Sequence, residues 1–129
     1  MSVAGSRGGA GWREYVIDGF EVLVGKSARD NDRLSVRVAR PNDWWLHAAG
    51  YAGSHVIVRR PEDGSDAPRA VLEAAAALAA WHSKARDARG KVVVHLCRAA
   101  DVRKPRGAPP GQVEIRDWTA LKVYPRDVV

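Results

Sequence analysis

The sequence is poor in several features that would indicate particular classes of protein. It contains one cysteine, Cys97, so an internal disulfide is excluded, and a reducing compartment is favoured over secretion. No apolar run reaches the roughly 18 residues that span a bilayer. No N-terminal stretch joins a basic segment to an apolar one, as a secretory signal does. We therefore expect a cytoplasmic protein with no membrane partner.

Motifs for catalysis and for metal binding are also lacking. Ser54, His55 and Asp43 supply the side-chain types of a nucleophilic triad. Adjacent residues of a strand point to opposite faces, however, and no Gly-x-Ser-x-Gly elbow is present. His95 and Cys97 share a strand face, but without the paired Cys-x-x-Cys or His-x-x-x-His spacing of a dedicated metal site. We predict no catalytic residue, no metal and no other cofactor.

Positive charge is what the chain has in excess. Its 129 residues carry a formal net charge of +6. Such an excess raises the local concentration of polyanions, which favours an anionic partner such as nucleic acid or acidic lipid. The length fits one domain that can bury a core without disulfides or a structural metal.

The first half of the chain predicts a disordered lead-in, a hairpin and a short helix. Residues 1–11 hold four glycines and no periodic apolar pattern, so we expect disorder there, ahead of a domain over residues 12–129. Asp18-Gly19 lies between β-forming residues and predicts a hairpin turn. A helix is predicted from Ser27 to about Ala39, because Pro41 stops it.

The second half predicts a further hairpin, one long helix and three strands. The long helix is Ala-rich and is predicted from Asp66 at its N-cap to about Arg86. The predicted strands are Trp44–Ala48, His55–Arg59, Lys91–Cys97, Val113–Ile115 and Thr119–Val123. We therefore predict a single α+β domain with a mixed, largely antiparallel sheet, one short helix and one long Ala-rich helix.

Polar and aromatic side chains concentrate in the second hairpin, residues 42–58, and one interpretation is an RNA-contact surface. Trp45 would offer a stacking face, and His47 and His55 would donate hydrogen bonds to phosphate or base. Gly53 and Ser54 would offer backbone N–H groups with room for close approach.

The other interpretation of this hairpin is structural. Trp44 and Leu46 would lie in the core, and Asp43 would cap a turn. His47 and His55 would then be hydrogen-bonded to one another or to the backbone. The sequence favours a core position for Trp44 and leaves Trp45 open between core and contact surface.

Three basic segments could add to such a surface if the fold gathers them on one rim. They are Lys26, Arg29 and Arg33; Lys84, Arg86 and Arg89; and Arg103, Lys104 and Arg106. Taken singly, each is an ordinary solvated segment. Taken together, they would follow a phosphate backbone, and binding would weaken steeply with salt.

Four landmarks occur in a specific order along the chain. They are Val24–Leu34; Asp43–Ala48 with Gly53–Val56; Glu73–Ala75 with Trp81–Lys84; and Val102–Pro105 with Gly107–Ala108 and Pro110–Val113. In this order they resemble the NFACT RNA-binding domain, a module of NFACT proteins in ribosome-associated quality control that also exists as small standalone proteins. The resemblance covers about residues 13–125 and implies binding of structured RNA, tRNA or rRNA, without catalysis.

The resemblance, joined to the patterns above, predicts a set of RNA-contacting residues. They are Lys26, Arg29, Asn31, Asp43, Trp45, His47, Gly53, Ser54, His55, Ser83, Lys84, Arg103 and Lys104. The N-terminal domain and coiled coil of full-length NFACT proteins are absent from this sequence, so their ribosome binding is not transferred to it. The alternative function is a protein-interaction module that docks to a ribosomal or quality-control partner, with its basic charge incidental.

Overall fold

A computed structural model describes residues 3–8 and 11–127. Two helices occur in this part of the chain, α1 (Ala28–Arg33), which continues as a π-helical segment over Leu34–Val38, and α2 (Arg69–Trp81). A single 3-10 turn covers Ala99–Asp101. The strands are β1 (Val3–Gly8), β2 (Trp12–Ile17), β3 (Phe20–Gly25), β4 (Trp44–Ala48), β5 (Val56–Val58), β6 (Val92–Arg98), β7 (Val102–Arg103), β8 (Glu114–Ile115) and β9 (Thr119–Val123).

Seven of these strands form one sheet in the order β1-β2-β3-β5-β4-β6-β9, while β7 and β8 form a separate two-stranded ribbon. Every pairing between the described strands is antiparallel, so the parallel pair that a mixed sheet would include does not occur among them. Both predicted hairpins are confirmed, with β2 paired to β3 and β4 paired to β5. The α+β class is confirmed as well.

Each face of the sheet carries its own apolar core. Helix α2 packs on one face, where its alanines, such as Ala75 and Ala79, are fully buried against Leu46 and Val94. Small side chains let a helix lie close to a sheet. The other face is covered by α1, the π-helical segment and the β7-β8 ribbon. No helix in the described residues is both long and apolar enough to cross a membrane.

The predicted disorder of residues 1–11 is wrong over Val3–Gly8. These residues form β1, which pairs with β2 and shifts register between Ala4 and Arg7. Pairing at a sheet edge satisfies backbone groups and needs no apolar side-chain pattern, so the sequence carried little signal for it. Residues 1, 2, 9 and 10 of the predicted segment lie outside the described residues.

Helix α2 is shorter at both ends than predicted. It begins after Pro68, because Asp66 accepts hydrogen bonds from the Arg98 guanidinium and from Trp44 Nε1 instead of capping the helix. The Arg98 hydrogen bonds hold the pKa of Asp66 down at about 2. The helix ends at Trp81, since the residues that follow bond to the β4-β5 loop. For the short helix, the N-cap is Ser27, whose Oγ accepts from the Asp30 N–H.

Candidate nucleic-acid interface

The loop between β4 and β5 is fastened to the end of α2. Ser54 N donates to the His82 carbonyl at 2.9 Å, and Lys84 N donates to the Ala52 carbonyl at 2.9 Å. Between these bonds, Gly53 lies so close to Ser83 that an added Cβ would be 2.5 Å from the Ser83 Cβ. Glycine is therefore required at this crossing, and the loop and the helix end form one rigid unit.

Asn31 of α1 joins the same unit from the other side. Its Nδ2 donates to the Gly53 carbonyl at 3.2 Å, and its Oδ1 accepts from the His55 backbone N–H at 3.0 Å. Ser54 Oγ donates to the Gly25 carbonyl. Asn31 and Ser54 were predicted to contact RNA, Ser54 through its backbone N–H. Hydrogen bonds within the protein already occupy the Asn31 side chain and the Ser54 N–H, which donates to the His82 carbonyl. Ser83 Oγ likewise donates to the Ala80 carbonyl, at 2.7 Å.

An open cleft of about 730 Å³ lies where these segments meet residues 110–112. Arg13, Lys26, Lys84 and Arg86 line it, and none of the described residues along its wall is acidic. The wall also contains His47, Asn31, Gly53, Ser54 and Ser83. The fold thus brings seven of the predicted residues, from segments far apart in sequence, to one positively charged concavity.

Two of the cleft cations, Arg13 and Arg86, were outside the predicted set of RNA-contacting residues, although Arg86 belongs to one of the basic segments named from the sequence. Arg86 is held in place because its Nε donates to the Trp81 carbonyl at 2.7 Å and its guanidinium lies 4.7 Å from the centre of the Trp81 ring. Arg13 pairs with Val24 across the β2-β3 hairpin and so lies near Lys26. The register of the predicted hairpin places Arg13 near Lys26, so Arg13 could have been identified from the sequence. Arg29 is exposed and does not line the cleft.

Trp45 and His55, predicted as contact residues, are core residues. Their exposed fractions are 2% and 3%. Trp45 Nε1 donates to Ser35 Oγ at 2.9 Å, and the same Oγ lies 2.7 Å from His55 Nδ1. Because the indole can only donate, the Ser35 hydroxyl hydrogen is free to reach Nδ1. The π-helical segment that carries Ser35 covers this face, so the stacking role of Trp45 is replaced by a structural one.

The histidines of this region are held in their neutral form. Burial, followed by repulsion from His47, lowers the pKa of His55 to about 4. Burial, followed by repulsion from His95, also lowers the pKa of His47, whose ring lies 5.4 Å from the His55 ring. Within the described residues, no three His, Cys, Asp or Glu side chains are arranged to hold a metal ion.

Asp43 is also a structural residue, as the second interpretation of the hairpin had it. Its carboxylate accepts from the Arg40 and Arg60 backbone N–H groups, each at 2.8 Å, and pairs with the Arg59 guanidinium at 3.2 Å. The residue is 1% exposed. Its predicted RNA contact is therefore corrected to a turn-capping role at the end of the hairpin remote from the loop.

The charged side chains of Arg103 and Lys104 do not line the cleft. Lys104 Nζ pairs with Asp32 at 3.1 Å and donates to the Pro109 and Gln112 carbonyls. These bonds shape the loop so that its residues 110–112 border the cleft. Arg103 is exposed and faces Glu114 at 3.4 Å. The predicted contact role of Lys104 is thus corrected to that of an internal brace.

The fold and the cleft together define a small α+β domain with the electrostatic footprint of a nucleic-acid-binding module, since its cations cluster on one concave surface. Comparison with known proteins gives the particular family. The family model for the NFACT protein RNA binding domain matches residues 13–117, so the chain belongs to that family.

Curated relatives are similar over most of this chain. The Rqc2 homolog RqcH of Bacillus subtilis is 41% identical over 107 residues, which are 83% of this chain and 18% of the relative. The Rqc2 homolog RqcH of Streptococcus suis is 39% identical over 106 residues, 82% of this chain and 18% of the relative. A Drosophila melanogaster ribosome quality control complex subunit NEMF homolog is 30% identical over 95 residues, 74% of this chain and 9% of the relative.

A solved structure has the same fold. The C-terminal part of the fibronectin/fibrinogen-binding protein from Streptococcus suis superposes with a TM-score of 0.83 at 35% identity, covering 94% of this chain and 48% of that one. The chain therefore spans less than a fifth of the length of the curated relatives and about half of the solved structure.

Proposed function

We propose that this domain is a non-catalytic RNA-binding module whose cleft holds the sugar–phosphate backbone of structured RNA, tRNA or rRNA, in cytoplasmic ribosome-associated quality control. The observation that carries the proposal is the gathering of Arg13, Lys26, Lys84 and Arg86 around one concavity with no acidic residue described in its wall. Membership of the NFACT RNA binding domain family supports RNA as the polyanion. The names of the relatives, which refer to ribosome quality control, support the process.

The cleft suits a phosphate backbone better than base edges. Its cations come from strand β2, the turn before α1 and the segment after α2, so three separate segments contribute positive charge to one concave surface. The Arg86 guanidinium is pre-positioned by its bond to the Trp81 carbonyl, and its fork matches a phosphate. Structured RNA is recognised largely by such backbone contacts and by shape.

The proposal is tested with a pair of variants that lose the same charge. Lys84→Ala with Arg86→Ala removes two cleft cations, whereas Arg37→Ala with Arg69→Ala removes two exposed cations elsewhere. Fluorescence anisotropy with labelled tRNA at two salt concentrations measures both affinity and its salt dependence. Four phosphate contacts predict a log–log salt slope of about −3, and the cleft variant should lower its magnitude by about 1.5.

The outcomes separate the two candidate functions. Loss of affinity in the cleft variant, with the control variant near wild type, supports the proposal. Equal losses in both variants would mean that only net charge matters, and would refute a cleft site. Absence of tRNA and rRNA binding, together with salt-resistant capture of a ribosomal or quality-control protein, would favour the protein-interaction module.

A further inference from the structure

The second face of the sheet is covered over only part of its width. Near Trp45 and Cys97 it lies under the π-helical segment and the β7-β8 ribbon. Further along, the register places His47 opposite His95, and His95 opposite Ala120. These three residues lie on one face, because directly paired residues of antiparallel strands point the same way. His47 and His95 are partly exposed, and Ala120 is exposed.

Exposed aromatic rings adjoin this uncovered area. Trp118 is 47% exposed, and its ring centre lies 4.2 Å from that of His95, with a tilt of 36°. Tyr124, at the other end of β9, is 58% exposed. Large rings left in water at the edge of an otherwise well-packed sheet indicate a contact surface. We call His47, His95, Trp118, Ala120 and Lys122 the open sheet face.

Cations accompany these rings. Lys122 is exposed and pairs with Val93, on the same face as His95. Lys91 Nζ lies 5.6 Å from the centre of the Tyr124 ring. Asp117 precedes Trp118 and is itself preceded by Arg116. Lysine is depleted at the cores of protein–protein interfaces, whereas rings combined with cations match the π-faces and phosphates of a nucleic acid strand.

The open sheet face is continuous with the cleft through His47. This residue lines the cleft, and its partner across β4 and β6 is His95, which contacts Trp118. Cross-strand neighbours in an antiparallel sheet lie about 5 Å apart. The distance from His47 to Trp118 is therefore short enough for one or two nucleotides of an RNA strand to span it.

We propose that the open sheet face binds an unpaired nucleotide of the RNA, with its base stacked on Trp118 beside His95 and its phosphate near Lys122. The inference deepens the proposed function, since it assigns a single-stranded segment to an RNA whose backbone lies in the cleft. A duplex cannot use this surface, because its base faces are already stacked on one another. The expected ligand is structured RNA with an unpaired end or loop.

The test compares three residues at position 118 on two RNA probes. Trp118→Leu keeps an apolar side chain but removes the ring, whereas Trp118→Phe keeps a ring. The probes are a labelled RNA duplex with a single-stranded adenosine tail and a tailless probe, which is the same duplex with blunt ends. For the tailed probe, we expect Trp118→Leu to lose about 5- to 100-fold in affinity. Trp118→Phe should lose much less, and the tailless probe should bind all three proteins alike.

The outcomes distinguish this inference from the proposed function. Equal affinity of wild type and Trp118→Leu for the tailed probe overturns the stacking site, whatever the cleft does. Equal losses for Trp118→Leu on both probes also overturn it, because the effect would then not depend on an unpaired base. If the cleft variant binds the blunt-ended duplex normally while Trp118→Leu still loses the tail preference, the cleft proposal fails and the stacking site stands. Trp118 is exposed, so circular dichroism should show an unchanged fold.

Discussion

Acidification should destabilise this domain through His55. The side chain is 3% exposed, and its Nδ1 lies 2.7 Å from the Ser35 hydroxyl. Protonation would place a hydrogen on the atom that accepts from Ser35 and would put a charge next to Trp45 in the core. Burial, which removes water from the charged ring, and then repulsion from His47 lower the pKa of His55 from 6.5 to about 4.

The sign and size of the effect follow from proton linkage. The unfolded chain binds a proton at His55 near pH 6.5, whereas the folded chain does so only near pH 4. Stability is therefore unaffected by this group above pH 6.5 and falls as the pH drops from 6.5 to 4. A pKa about 2.5 below its ordinary value corresponds to a loss of about 3 kcal/mol. That is a large part of the 5–15 kcal/mol of a typical domain.

The assay is urea unfolding at pH 7.5 and at pH 4.5, for the wild type and for His55→Gln. Other groups also titrate in this range, including His47, His82 and His95, whose pKa values are lowered. The difference between the two proteins isolates His55, and we expect His55→Gln to lose about 2–3 kcal/mol less stability on acidification. His95→Gln is the control, with a smaller change expected because its side chain is only partly buried.

Two results would refute this reasoning. One is a pH dependence of unfolding that is the same in His55→Gln and in the wild type. The other is an NMR titration in which the His55 ring protons shift with a midpoint near 6.5.

Three further predictions concern packing, two of them beside the cleft and one in the core on the second face of the sheet. Gly53→Ala should destabilise the domain by about 1–3 kcal/mol, since its Cβ would lie 2.5 Å from the Ser83 Cβ; thermal unfolding measures this. Lys104→Met removes an ion pair and two bonds to backbone carbonyls, so we expect a loss of about 1–2 kcal/mol and faster amide exchange at Gly111 and Gln112. The thiol of Cys97, whose pKa burial raises to about 12, should react with a disulfide reagent only on unfolding.

Matched changes serve as controls for these predictions. Gly90→Ala meets no atom within 4 Å and should leave the unfolding midpoint nearly unchanged. Arg103→Met removes only an exposed ion pair, which is worth at most about 1 kcal/mol. Similar effects for Gly53→Ala and Gly90→Ala, or for Lys104→Met and Arg103→Met, would contradict the packing argument. A native Cys97 that reacts as fast as the denatured one would contradict its burial.

Much of the fold could be predicted because its signals are local. Asp18-Gly19 forms the β2-β3 turn with φ values of 49° and 84°, the conformation for which this dipeptide is suited. Strand alternation correctly separated Trp45 from Leu46, which lie in the two different cores. The bounds of α2 were less predictable, because Asp66 accepts hydrogen bonds from Arg98, 32 residues further along the chain, instead of capping the helix.

The candidate site was less predictable because its side chains are positioned by distant partners. Whether Trp45 is a stacking face or a core residue depends on Ser35, which a π-helical segment places over it. Whether Lys104 is a phosphate ligand or a brace depends on Asp32, 72 residues away in sequence. Residue types indicated hydrogen bonding correctly in each case, but composition and alternation do not say whether the partner is RNA or the protein itself.

The cleft concentrates like charges that the unfolded chain keeps apart. Arg13, Lys26, Lys84 and Arg86 come together only when β2, the turn before α1 and the segment after α2 have docked. Their mutual repulsion opposes folding, most strongly at low ionic strength. A polyanion that binds only the folded form removes this repulsion and adds its own binding free energy, about 2.7 kcal/mol at a hundred times its Kd. With the proposed nucleic acid in its cleft, the domain should therefore resist unfolding and proteolysis better than the free domain.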